Sequence, residues 1–154
     1  MWGYAPQGKN LSEFKNSTKI EELRFTQAKF TSLKGIEVLT NLKKLEISSI
    51  RTLTSIEELE FLKNSLHKLE IHSCKKIESF DVIQHLKDLM NLKITDCGEL
   101  ASIKFIEGLE NLKSFVFSGT NILDGDISVC KGIEYIYFTE KKYYSHRRKD
   151  FNIQ

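Results

Sequence analysis

The sequence predicts an α/β solenoid, a curved stack with a parallel sheet of about six short strands on its concave face and short helices or 3₁₀ turns on its convex face. Three observations carry this expectation. A seven-residue phrase recurs at a near-constant period. Its apolar residues are spaced as in a strand with one buried face. Each copy is followed by apolar residues three apart, the spacing of a helical or 3₁₀ turn.

The phrase is KIEELRF from Lys19, NLKKLEI from Asn41, SLHKLEI from Ser65, DLMNLKI from Asp88, NLKSFVF from Asn111 and GIEYIYF from Gly132. The starts are 22, 24, 23, 23 and 21 residues apart. A fixed period in this range marks stacked units, each unable to bury its apolar face alone. In each copy the second, fifth and seventh residues are apolar, as in Leu42, Leu45 and Ile47. The fifth and seventh point to one side of a strand, so Lys44, Glu46 and Ser48 must point to the other.

Eight residues past the first apolar position stand Ala28, Ile50, Cys74, Cys97 and Thr120, all small or medium-sized. Phe30, Leu53, Ile77, Leu100 and Ile122 follow them. With these positions filled, the chain resembles the leucine-rich repeat family and its L-x-x-L-x-L-x-x-N/C-x-L consensus. The best matches are Leu69 to Cys74 and Leu92 to Cys97; the family's usual Asn is absent from every copy. Cys74 and Cys97 then occupy one rung of adjacent units, as a buried ladder of small side chains.

The second half of each unit carries Leu33, Ile36 and Leu39; Ile56, Leu59 and Leu62; Phe80, Ile83 and Leu86; Ile103, Ile106 and Leu109. Ser32, Ser55, Ser79 and Ser102 precede these runs as candidate N-caps, and Ser55 with Glu58 fits a capping box. Leu11 and Phe14 stand nine and six residues before Ile20, as Leu33 and Ile36 do before Leu42. Residues 1–18 therefore read as an N-terminal half-repeat cap with Trp2 and Tyr4 over the first core layer, 19–138 as repeats and 139–154 as a C-terminal cap, all in a single domain of 154 residues.

Composition narrows the function. Apolar residues make up 40% and charged residues 29%, as in an ordinary globular domain. The 23 basic and 21 acidic side chains leave a net charge of +2, too balanced to create a strong field for nucleic acid or an anionic membrane. No run approaches the roughly 18 apolar residues of a membrane helix. The N-terminus, MWGYAPQGKNLSEF, lacks the basic and apolar regions of a secretion signal, so the expected location is the cytoplasm, with Cys74, Cys97 and Cys130 as reduced thiols.

No catalytic chemistry is legible. There is no Gly-x-Ser-x-Gly, no phosphate-binding glycine loop and no His-Glu-x-x-His. His67 and His72 fall on opposite faces of a strand, which argues against a shared metal. Asp124-Gly125-Asp126 reads as a tight turn with Asp126 capping the next segment, since an EF-hand needs a longer ligand series. The chain is expected to be no enzyme and to take no cofactor.

What remains is a surface. The candidate partner-binding residues on the concave face are Arg24, Lys44, Glu46, Lys68, Glu70, His72, Lys93, Val116, Tyr135 and Tyr137. Lys44 with Glu46 and Lys68 with Glu70 are expected to pair across strands, and the C-terminal third turns aromatic. Tyr is enriched at the energetic centres of interfaces. The tail Tyr143-Tyr144-Ser145-His146, followed by Asp150-Phe151, resembles the closing segment of stand-alone bacterial leucine-rich repeat proteins. Some of those are encoded beside polymorphic or contact-dependent toxins and act as immunity proteins. The resemblance implies a cytoplasmic immunity protein that binds a toxin domain one-to-one, for example a nuclease, with Glu46 and Glu70 facing basic toxin residues and the tyrosines as anchors. The alternative is an intracellular adaptor for another protein. Nucleic acid ranks last, because Lys141, Lys142, Arg147, Arg148 and Lys149 form one tail rather than a stripe along the concave face.

Overall fold

A computed structural model describes residues 10–151. The strands follow the repeat. Those of the main sheet are β1 (Glu22–Thr26), β2 (Lys44–Ser48), β3 (Lys68–His72), β4 (Asn91–Thr95), β6 (Ser114–Val116) and β8 (Tyr135–Tyr137). They form one six-stranded parallel sheet in the order β1-β2-β3-β4-β6-β8. Register follows the repeat position for position: Glu22 opposes Lys44, Lys44 opposes Lys68, Lys68 opposes Asn91, Asn91 opposes Ser114 and Ser114 opposes Tyr135. A one-residue slip would turn every apolar side chain to solvent, so burial of one face enforces this alignment.

The fifth and seventh positions are buried in every unit, from Leu23 and Phe25 to Ile136 and Phe138. The small-residue column is buried as well, and its polar side chains donate to nearby backbone carbonyls. The Cys74 thiol donates to the His72 carbonyl at 3.3 Å and the Cys97 thiol to that of Thr95 at 3.3 Å. Thr120 donates its hydroxyl to the Ile94 carbonyl at 2.9 Å and accepts the Cys97 N–H at 3.1 Å. All three cysteines are free and buried.

The convex segments are 3₁₀ turns, among them Ile36–Val38, Glu57–Leu62, Asp81–His85, Lys104–Ile106 and Ser128–Cys130. Spacing of three suits this tighter helix. The serines serve it by a different contact from the expected capping box. Ser55, Ser79 and Ser102 each accept the N–H two residues on, at 3.3, 3.1 and 3.1 Å. Glu58 does not reach back to Ser55; its carboxylate accepts the Leu33 N–H of the preceding unit at 3.2 Å. Asp126 caps its own turn as expected, accepting the Ser128 N–H at 3.0 Å.

Two features were not legible. A small second sheet pairs β5 (Gly98–Leu100) with β7 (Thr120–Ile122). And one position in each of the first five units, just past the strand, is left-handed: Gln27, Ser49, Ser73, Asp96 and Gly119, with φ between 52° and 68°. Their amides continue the ladder, Ser49 N–H donating to His72 and Ser73 N–H to Thr95, both at 2.9 Å. Stacking thus imposes a backbone that only glycine adopts freely.

At the first layer Leu11 and Phe14 are buried, and Phe14 meets Phe25 edge-on with centroids 6.0 Å apart. The expected cover by Trp2 and Tyr4 lies outside the described residues. At the last layer Tyr144 and Phe151 pack edge-on against Phe138, at 5.9 and 6.0 Å, and the Tyr144 hydroxyl accepts the Ile122 N–H at 3.0 Å. No described helix is long and apolar enough to cross a membrane.

Candidate interaction face

Alternation along the strands lifts two columns onto the concave face, Glu22, Lys44, Lys68, Asn91, Ser114 and Tyr135 in one and Arg24, Glu46, Glu70, Lys93, Val116 and Tyr137 in the other. Every expected binding residue except His72 lies in these columns, and His72 ends β3 beside them.

The charges at the N-terminal end are spent on one another, in a pattern partly different from the expected one. Lys44 does not hold Glu46; it faces Glu22 at 3.9 Å, and Arg24 takes Glu46 at 2.6 Å across β1 and β2. Lys68 holds Glu70 at 2.8 Å as expected, but along its own strand, and Lys93 joins from β4 at 3.3 Å. Strand neighbours lie close enough for long side chains to choose between several partners, so spacing alone does not rank them. Burial works against ionisation of Glu70. The hydrogen bond and charge of Lys68, with those of Lys93, outweigh it and hold the carboxyl below its ordinary value. His72 shares a hydrogen bond from Nδ1 with the Thr95 hydroxyl at 2.9 Å and one from Nε2 with Ser73 at 3.1 Å.

The other end is open and aromatic. Tyr135 and Tyr137 remain 47% and 42% exposed on β8, a strand whose buried side is occupied by Ile136. With Val116, Ser114, Lys93, His72 and Glu70 they line a depression of about 520 Å³ on the concave face. The Arg148 guanidinium sits 5.0 Å from the centre of the Tyr137 ring, within cation–π range, and fixes that ring from the tail. The tail's charge is partly compensated, because Glu140 lies 4.0 Å from Arg147 and 3.8 Å from Arg148. Sequence reasoning found every member of this depression's charged and aromatic lining; it missed the contact of Arg148 with Tyr137, which depends on how the tail folds back.

The arrangement offers a shaped, mixed surface with paired charges and two exposed aromatic side chains. Among the described residues no group of three His, Cys, Asp or Glu side chains could hold a metal ion. The buried Cys97 and Cys130 thiols are pushed up to about 12 by burial, which removes them as nucleophiles at neutral pH.

No curated protein sequence matches the chain. A sequence model described as the At1g61320/AtMIF1 LRR domain matches residues 10–150. With its phrase aligned rung by rung in a parallel sheet and that match spanning nearly all of its length, the chain belongs to the leucine-rich repeat family, a family of protein-binding modules.

Proposed function

We propose that the chain is a non-catalytic immunity protein that holds a toxin domain one-to-one in the cytoplasm, with its concave face as the contact surface. The observation that carries the contact surface is the exposed pair Tyr135 and Tyr137 beside Val116 in the concave depression. Tyrosines give large contact area for little lost conformational freedom and concentrate binding energy. The immunity role itself rests on the resemblance of the tail to bacterial proteins of that kind.

The charge pattern refines how the face binds. Glu46 and Glu70 already hold Arg24, Lys68 and Lys93. A partner's cation would have to displace those contacts, so the aromatic end anchors the complex and the Lys/Glu end selects register. Six strands span about 24 Å at a strand spacing near 4.8 Å, enough for a standard interface of about 800 Å² per partner.

The test is capture of a partner from the source cell with the wild-type chain and with Tyr135→Ala/Tyr137→Ala. The expected result is one stoichiometric protein that is toxic when expressed alone, harmless with this chain, and lost with the double variant. A non-toxic partner would replace immunity by the adaptor reading. Retention by the double variant would move the contact off the aromatic end.

A further inference from the structure

The flank of the solenoid just past the strands carries a second charged surface, separate from the concave face. Lys29, Arg51 and Lys75 each stand three residues beyond the register-paired strand ends Thr26, Ser48 and His72, so they repeat on three consecutive rungs, with Lys76 beside the third. All four are exposed, and none forms a salt bridge among the described residues. Two depressions lie between them, of about 410 and 520 Å³; they share Ser49 and Arg51 and so adjoin as a segmented trench. At the fourth rung the equivalent of Lys75 is Gly98, followed by Glu99 and preceded two residues earlier by Asp96, and the basic stripe ends.

We infer that this trench docks an acidic, extended polypeptide segment. Four cations without salt bridges beside a segmented trench call for a ligand with spaced negative charges. The turn amides of Ser49 and Ser73 are committed to the sheet, so these two do not face the trench as anion donors. No aromatic side chain lines either depression, so the trench lacks the stacking platforms on which single-stranded nucleic acids rest. Carboxylates on one side of an extended chain recur about every 6.6 Å, the rungs about every 4.8 Å, and flexible lysine stems bridge the mismatch.

The test measures fluorescence anisotropy of labelled octaglutamate with the full chain at low salt. Binding should fall about tenfold with Arg51→Glu/Lys75→Glu, and less than about twofold with Lys141→Glu/Lys142→Glu in the tail. Tyr135→Ala/Tyr137→Ala should leave it unchanged, so the result does not depend on the concave-face reading. Circular dichroism checks that each variant is folded. Lack of octaglutamate binding, or equal loss in the tail variant, would overturn the inference. Tighter binding of an oligothymidylate of equal charge, lost in the flank variant, would overturn the choice of ligand and assign the trench to a phosphodiester backbone.

Discussion

The Lys68 ammonium lies 2.8 Å from the Glu70 carboxylate, two residues along the same strand, and Lys93 reaches the same oxygen from the next strand at 3.3 Å. Glu70 is thus the shared counter-charge of two cations on a face where its own side chain is only 18% exposed.

Its titration gives the first prediction. A carboxyl depressed on folding contributes stability that is complete above its unfolded value, about 4.3, and is lost as pH falls through the folded value. Glu70→Gln should therefore destabilise the protein at pH 7 by about 1 kcal/mol. The difference from wild type should shrink as the pH is lowered below about 4. Urea unfolding at several pH values reads it; a difference that persists undiminished in acid would remove the ionic explanation.

The buried acids act at the other end of the pH scale. Burial raises the Cys74 thiol and the Tyr144 hydroxyl and pushes Cys97 and Cys130 up to about 12. Groups raised on folding stabilise fully below their unfolded values and lose that contribution as pH climbs toward the folded ones. Stability should thus decline from about pH 8.5 upward, where free thiols begin to ionise. Under native conditions at pH 8 a thiol reagent should label the cysteines no faster than the chain unfolds.

Tyr144→Phe removes the acceptor of the Ile122 N–H while keeping the ring that packs on Phe138. A buried donor left unpaired costs about 1–3 kcal/mol. Thermal unfolding should show that loss; a neutral result would mean that water reaches the Ile122 amide.

Gly35 has φ of 104°, and a Cβ there would strike the backbone of Leu11 and lie 2.6 Å from the Ser12 nitrogen. Gly35→Ala should cost more than about 1 kcal/mol, from strain and from displacement of the first layer. Hydrogen exchange at residues 10–40 would locate the damage; a uniform loss of protection along the chain would contradict it.

Gln27→Gly works in the opposite direction. Gln27 is exposed at φ 55°, and its amide donates to Ser48 at 3.0 Å whatever its side chain. Relief of the left-handed conformation should stabilise by up to about 1 kcal/mol, read as a shift in the urea midpoint.

These cases show what was legible in the sequence. The strands and the columns they display could be read because Leu42, Leu45 and Ile47 repeat with a strand's periodicity, and one buried face permits one register. Tyr135 and Tyr137 could be placed for the same reason. The left-handed column could not, since Gln, Ser, Ser, Asp and Gly repeat no single residue type and the stack itself imposes the geometry. Arg24 rather than Lys44 holds Glu46 because the reach of long side chains decides between near-equal neighbours. The basic trench escaped notice because Lys29, Arg51 and Lys75 are isolated in sequence, and only the sheet brings them into line.

The order β1-β2-β3-β4-β6-β8 sets β1 and β8 at opposite edges, each strand hydrogen-bonded to its immediate neighbours. Such a sheet carries mechanical load in series. Pulled at its two ends, it would shed strands from an edge inward, each step releasing one unit of roughly 23 residues, or about 80 Å of chain at full extension. A partner gripping the aromatic edge at β8 would act as a clasp on one of the two places where such peeling can begin.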